Sequence, residues 1–289
     1  MDLAQLTDLA ARQFPRSGGT ESQYLRPLPN LAVYRQHRPS SFEAAIYEPV
    51  VCLILQGRKE MVLGGDSFPM RAGECLLISH DLPVTARVTK TPYLALLFDV
   101  DLHTLRDLNE AMAASFHAAA PRSLAVHSCG AQLVDALHRY LALAGAETDA
   151  AVLGPLVARE IHYRLTTAPF GAMLRDLIRY DSHASAIARA IAQLRRDFRL
   201  PVEIPRLARS VGMSASAFHK HFKAITASSP LQYRKALQLL EARRVLRAGS
   251  LSVTEAAFAV GYESAAQFSR DYARRFGASP KHDIPEPGS

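Results

Sequence analysis

Leu207-Ala-Arg-Ser-Val-Gly212-Met-Ser214, followed by Phe218, Phe222 and Ser229-Pro230, has a counterpart further along the chain. That counterpart is Ala256-Ala-Phe-Ala-Val-Gly261-Tyr-Glu-Ser264, followed by Phe268, Tyr272 and Ser279-Pro280. In both copies the first aromatic lies twelve residues before the proline, Phe218 to Pro230 and Phe268 to Pro280. The copies differ by one residue between glycine and aromatic. Each has an apolar helical run, a glycine that accepts a left-handed turn, a serine able to cap, and a second helix. That pattern is the sequence form of a helix-turn-helix, whose second helix enters the DNA major groove.

Working outward, the pattern predicts helices over 204–226 and 253–276, joined by a linker helix over 230–248. Pro205 suits a first helical turn, where its missing N–H is no loss. Phe218 and Phe222 in the first unit, and Phe268 and Tyr272 in the second, are spaced i, i+4 and read as core. That spacing leaves Ser216, His219, Lys220 and Lys223 outward in the first unit. In the second it leaves Ala265, Ala266, Ser269, Arg270 and Arg274. A linker of roughly 18 residues spans about 27 Å at 1.5 Å per residue. Successive major grooves on one face of DNA lie about 34 Å apart, so such a strut suits two reading heads. An amphipathic helix over Ser185–Phe198 precedes them. The tail Pro280-Lys-His-Asp-Ile-Pro285 leaves no room for a long closing helix.

The 289 residues suit two domains, and the charge divides with them. From His183 onward 17 Lys/Arg stand against 8 Asp/Glu, a balance of +9; the first 182 residues hold 17 against 19, a balance of −2. A polyanion partner is therefore expected for the C-terminal part alone. The start, Met1-Asp-Leu-Ala-Gln-Leu-Thr-Asp, is no signal peptide, and no apolar run is long enough to span a bilayer. Cys52, Cys75 and Cys129 are scattered and odd in number, fitting a reducing cytoplasm, and read as small buried hydrophobes. A cytoplasmic protein without membrane contact, nucleoid-associated when bound to DNA, is expected.

The N-terminal part reads differently. Leu3, Leu6, Leu9, Ala10 and Phe14 hint at a short helix in an arm over 1–23, ended by Pro15 and Gly18-Gly19. Strand-like runs follow at Leu31–Tyr34, Ala44–Tyr47, Val50–Leu55, Glu60–Leu63, Cys75–Ser79, Thr85–Val88 and Tyr93–Phe98. Turn signals separate them, among them Gln56-Gly57, Gly64-Gly65-Asp66, Ala72-Gly73-Glu74 and Thr91-Pro92. Short, closely spaced strands predict an antiparallel sandwich or barrel. Gly65-Asp66, Met70, Gly73-Glu74 and Leu76-Leu77-Ile78 resemble the second half of a cupin barrel. The metal ligands of that pattern are missing: Gln56-Gly-Arg-Lys-Glu60-Met-Val-Leu-Gly64 holds no histidine, and His37, His80 and His103 are isolated. No metal, cofactor or catalytic residue is expected, and the protein is not read as an enzyme. A barrel of this size can hold a small ligand. Tyr47, Gln56, Glu60 and His80 are polar candidates for its lining, and register decides whether Cys52 and Ile54 or Val51 and Leu53 face inward.

Helical patterns follow, at Leu102-Leu105-Leu108-Met112, Leu133-Val134-Leu137-Leu141 and Val152-Leu153-Leu156-Val157-Ile161-Leu165. They either pad the barrel or form a homodimer interface. The expected organisation is an α+β multidomain chain: an arm over 1–23, a cupin-like β-barrel domain with appended helices over 24–170, a junction over 171–184, and an all-α domain with two helix-turn-helix motifs over 185–289.

The residues quoted above, with Ser229-Pro-Leu-Gln-Tyr233, Ala242-Arg243-Arg244-Val-Leu246, Gln267-Phe-Ser-Arg270 and Phe276-Gly-Ala-Ser-Pro280, resemble the AraC/XylS family of bacterial transcription regulators. Pro49-Val-Val-Cys-Leu-Ile-Leu-Gln-Gly57, Leu82-Pro83-Val84 and Pro92-Tyr-Leu-Ala-Leu96 resemble the cupin-like sensor domain of one AraC-type branch. The resemblance implies two recognition helices on one protomer reading adjacent segments of double-stranded DNA. By position, Ser216, His219, Lys220, Ala265, Ala266, Ser269 and Arg270 would meet bases, with Lys220 and Arg270 suited to guanine O6/N7. Lys223, Arg274 and Arg275 would anchor phosphates. The small Ala265 and Ala266 depart from a donor-rich reading head. The implied function is a ligand-responsive activator working with RNA polymerase, as a homodimer or alone, with effector-binding residues unassigned. A ligand-independent or partner-controlled regulator is the alternative, and a metal-dependent cupin enzyme fused to a DNA-binding module a third.

Overall fold

The computed structural model describes residues 2–15, 22–111, 122–249 and 251–283. Gly18-Gly19, Met112 and the tail residues Ile284 and Pro285 lie outside the described residues. The chain divides into two compact units, Met1–Glu43 with Tyr47–Ser185, and Ala186–Ser289 with Ala44–Ile46.

The first unit opens with α1 (Leu3–Arg12), started by a capping box in which the Asp2 carboxylate accepts from the Gln5 N–H and the Gln5 side chain accepts from the Asp2 N–H. In chain order, strands β1 (Ser22–Leu28), β2 (Leu31–Gln36), β3 (Glu43–Tyr47, whose Ala44–Ile46 group with the second unit), β4 (Val50–Leu63), β5 (Asp66–Arg71), β6 (Glu74–Ile78) and β7 (Leu82–Asp99) follow. Then come α2 (Leu102–Ala111), β8 (Leu124–Ser128), α3 (Ala131–Ala142), α4 (Glu147–Thr167) and α5 (Gly171–Ile178). The strands form one eight-stranded sheet with the order β1-β2-β7-β4-β6-β8, and β5 also pairs with β4. The pairings of β4 with β5, β6 and β7, and of β2 with β1 and β7, are all antiparallel.

Register settles which side of β4 faces which layer. Val51 stands opposite Phe98 and Leu53 opposite Leu96. Together with Leu55, Leu94 and Val33 they pack against Leu6 and Ala10 of α1, Leu137 and Tyr140 of α3, and Ile161 and Leu165 of α4. Because side chains alternate along a strand, Cys52 points to the opposite, interior face, beside Tyr93. The inner faces of α3 and α4 thus pad the sheet, while Val152, Leu153 and Leu156 of α4 remain exposed. Over 171–184, the expected junction, α5 buries Met173, Leu174 and Ile178 in the same core.

Two strands run through expected turns, and three more are not expected at all. Gln56-Gly57 reads as a turn, yet β4 continues through it on a bulge where the register with β7 shifts. A side chain at Gly57 would come within 2.4 Å of the Lys90 carbonyl oxygen, so glycine marks a close backbone approach. Thr91-Pro92 likewise lies inside β7, as a cis peptide. β1, β5 and β8 are missed because each buries one residue: Leu28, Met70 and Leu124. A strand that hides one side chain shows no alternation.

The second unit is helical: α6 (His183–Asp197), α7 (Ile204–Ser210), α8 (Ala215–Thr226), α9 (Pro230–Arg247), α10 (Val253–Ala259) and α11 (Ala265–Phe276). Phe218, Phe222 and Tyr233 are fully enclosed and stack at 5.4 and 5.5 Å. Phe268 and Tyr272 do the same beside Leu239, Ala242 and Val260. Each such ring contributes about 2–3 kcal/mol through the apolar area it removes from water. Among the described residues no helix is long and apolar enough to cross a membrane.

Candidate nucleic-acid interface

Serines start both candidate recognition helices. Ser214 accepts from the Ala217 N–H at 3.2 Å and Ser264 from the Gln267 N–H at 3.3 Å, each satisfying a first-turn donor. The buried aromatics then fix the rotation of each helix. In α8, Ser216, His219, Lys220 and Lys223 are all exposed and fall at i, i+3, i+4 and i+7 on one face. The sequence brought these four together correctly as a surface.

In α11 the face is narrower. Ala266 and Arg270 are exposed, but Ala265 is half-buried against the local core, and the Ser269 hydroxyl donates to the Ala265 carbonyl at 2.9 Å. Arg274 is exposed and sits 3.8 Å from Asp271. Arg275 is not on this face as a free cation: its Nε and one terminal nitrogen are enclosed without a hydrogen-bond partner, and burial lowers its pKa. Gln267, left unassigned by the sequence reading, is exposed three residues before Arg270.

The linker α9 is the expected 18 residues and starts on a capping box between Ser229 and Gln232. At the second helix-turn-helix it is fastened by polar contacts. Lys235 pairs with Asp271 at 2.7 Å, and Gln238 donates to the Val260 carbonyl at 2.8 Å. Asp283, in the tail, accepts from Arg243 at 2.6 Å, Arg247 at 2.9 Å and Tyr272 at 2.7 Å. Burial pushes the Asp283 carboxyl up, but these donors outweigh it and bring it down to about 2.

Of the polar candidates in the first unit, Tyr47 joins the interior. Gln56 is exposed, and Glu60 is engaged by Arg87 at 2.7 Å and by Ser67. His80 is buried between Ser79 and the Ala184 carbonyl, and desolvation lowers its pKa to about 4. Cys52 and Cys75 are buried and Cys129 half-buried, all as free thiols. Among the described residues no three His, Cys, Asp or Glu side chains gather as a metal site.

Comparison with known proteins agrees with this geometry. Residues 27–173 match the AraC-type transcriptional regulator N-terminus family, and residues 207–283 match a helix-turn-helix domain family. The HTH-type transcriptional regulator CdhR of Pseudomonas aeruginosa is 30% identical over 132 residues, 46% of this chain and 37% of CdhR. The HTH-type transcriptional activator RhaS of Escherichia coli is 30% identical over 101 residues, 35% of this chain and 36% of RhaS. The matches thus span little more than a third of these curated relatives. Among solved structures, unsaturated-fatty-acid-bound ToxT from Vibrio cholerae superposes with a TM-score of 0.58 over 93% of this chain and 96% of ToxT. At 9% identity that likeness concerns the fold alone.

Proposed function

The chain belongs to the AraC-type family of transcriptional regulators, and from that premise we propose that it is a ligand-responsive activator that reads double-stranded DNA with α8 and α11. The observation that carries this is the pair of serine-capped helices held on one 18-residue strut, with Lys220 and Arg270 free at their surfaces. Lys220 and Arg270 make base contacts, with Ser216, His219 and Ala266 beside them; Lys223 and Arg274 meet phosphates. The half-buried Ala265 and the internally bonded Ser269 contribute less. The protein acts in the cytoplasm, at promoters, with RNA polymerase as partner, and as a regulator rather than a catalyst. The relative named as an activator supports the sign of the effect. ToxT bound to a fatty acid supports a small-molecule effector in the first unit. The exposed Val152, Leu156 and Tyr163, spaced four and seven residues along α4, suit pairing with a second copy.

The test is to map binding sites on the source genome and measure affinity for the recovered fragments against salt. Specific sites recovered upstream of genes, with affinity falling steeply as salt rises through counterion release, are expected. Binding without sequence preference would sink the reading. Titrating metabolites while following promoter affinity then separates a ligand-responsive regulator from one controlled by abundance or a partner.

A further inference from the structure

The interior of the first unit encloses a charge that its own acids do not neutralise. Lys59 of β4 is 8% exposed. Its Nζ donates to the Tyr47 hydroxyl at 2.8 Å and lies 5.0 Å from the centre of that ring. Among the described residues no carboxylate pairs with it; its neighbours are Tyr47, Tyr34 and the Cys52 thiol. Burial works against the charge, and these neighbours are neutral groups that supply no counter-charge near pH 7. Tyr93 of β7 is 1% exposed, and its hydroxyl, with the Cys52 thiol, Tyr47 and Tyr34 as its polar neighbours, makes no hydrogen bond of good geometry. The Tyr34 ring packs edge-on against Tyr93 at 5.9 Å.

An enclosed ammonium without a counter-ion and an enclosed hydroxyl without an acceptor each carry an unrecovered desolvation cost. Here both belong to one cluster, bridged by Cys52. A negatively charged ligand group entering the cluster would answer both, with Tyr47 as a further polar contact. The side chains around the charge are aromatic or apolar: the rings of Tyr34 and Tyr47 neighbour it, and the fully buried Met61 lies two residues along β4, on the same face as Lys59. Tyr34 and Tyr47 are only half-buried, so the cluster has an edge toward solvent. A single anionic head held by donors inside apolar walls is the chemistry of a carboxylate with a hydrophobic body.

We propose that the Lys59–Tyr47–Tyr93 cluster is the effector site and that its ligand is a small organic carboxylate with an aromatic or aliphatic body. The proposal rests on the ligand-responsive reading above and names the ligand class for it. Lys59 supplies the charge-assisted bond, Tyr93 a second donor.

The experiment uses the full chain and its Lys59→Met and Tyr93→Phe variants. The probes are benzoate and octanoate, with benzamide and octanamide as neutral isosteres. Melting temperature, calorimetric affinity and promoter-fragment affinity are measured. Removing an unneutralised buried charge is expected to raise the melting temperature of the unliganded first unit by about 2–5 °C. At least one acid should stabilise the wild type, its amide should not, Lys59→Met should lose affinity at least about tenfold, and Tyr93→Phe about threefold to tenfold. A lower melting temperature in Lys59→Met would make the lysine structural and overturn the proposal. Amides binding as well as acids, acids binding Lys59→Met unchanged, or neither acid stabilising the wild type would also overturn it. A neutral compound that moves promoter affinity equally in wild type and Lys59→Met would refute the carboxylate assignment but keep ligand responsiveness. Acid binding through Lys59 that never moves promoter affinity would keep the site and sink the regulatory reading.

Discussion

At the turn of the first helix-turn-helix, Gly212 has nothing within 4 Å of where a side chain would begin; at the turn of the second, a Cβ on Gly261 would stand 2.1 Å from the Arg199 carbonyl oxygen. The same contrast recurs around both heads. Asp271, 8% exposed, ties α11 to Lys235 of α9, and Asp283 ties Tyr272 of α11 to Arg243 and Arg247. The first head has an open turn, and its outward residues are exposed donors. One sequence plan, used twice, has therefore produced one head built around adaptable surface groups and another built around internal fastening. From that difference we propose that specificity rests mainly on α8, and rigid placement with one strong contact mainly on α11.

The turn glycines offer the largest effect with which to break this comparison. Both have left-handed backbone, φ +76° and +86°. Gly212→Ala should therefore cost about 1–2 kcal/mol, the conformational penalty alone. Gly261→Ala adds a clash with backbone that cannot swing aside, and should cost about 4 kcal/mol or unfold the second head. Urea unfolding of both variants, followed by far-UV circular dichroism, measures the difference. Equal losses would mean that the second turn is no more tightly built than the first.

The Asp283 clamp comes next. Asp283→Asn removes charge from three donated bonds and should cost about 1.5–3 kcal/mol, mostly by loosening α9 from α11. The carboxyl's native pKa of about 2 lies below its ordinary 3.8. Its contribution is therefore complete above about pH 4 and disappears as pH falls toward 2. Stability curves of wild type and Asp283→Asn should differ at pH 6 and draw together between pH 4 and 2. A gap independent of pH would show that shape rather than charge holds the tail.

On DNA, Lys220→Ala should lower affinity for the specific site by about 1–3 kcal/mol and leave random DNA nearly unaffected. Lys223→Ala should weaken binding to all sequences alike and flatten the salt slope by about one unit. Arg270→Ala should resemble Lys220→Ala if α11 contributes one base contact. Equal losses on specific and random DNA for Lys220→Ala would move specificity away from α8.

The helical half was legible because most of its boundaries carry their own chemistry. Ser214 and Ser264 cap, Gly212 and Gly261 turn, and paired aromatics fix which side faces in. The strands were legible only where alternation or an apolar run was strong. Gly57 and Pro92 look like chain reversals locally, and only pairing with the neighbouring strand turns them into a bulge and a continuing strand. Lys59 and Tyr93 could not be joined in the sequence. Lys59 stands opposite Val88 in the β4–β7 register, and what links it to Tyr93 is the Cys52 thiol that neighbours both, a meeting the residues themselves do not spell out. Arg275 fails for a similar reason: an arginine at the end of an exposed helix normally reaches solvent, and its enclosure depends on tertiary packing.

The smallest test concerns how the first helix of each unit begins. α7 and α10 are seven residues each. α10 starts on a full capping box: Ser252 accepts from the Glu255 N–H at 3.3 Å, and the Glu255 carboxylate accepts from the Ser252 N–H at 2.9 Å. α7 starts at Glu203 with no side-chain cap, and Arg206 stands where the reciprocal acid would be. Glu203 already has the extended backbone that a capping serine needs, φ −87° and ψ 98°. Ser252→Ala should therefore cost about 1 kcal/mol, while Glu203→Ser should gain about 0.5–1 kcal/mol. If the exposed donors of α8 set sequence reading, the stabilised Glu203→Ser protein should bind its specific site no better than wild type, since an ordered α7 adds no donor to α8. A gain in affinity matching the gain in stability would instead mean that fraying of the uncapped α7 limits binding.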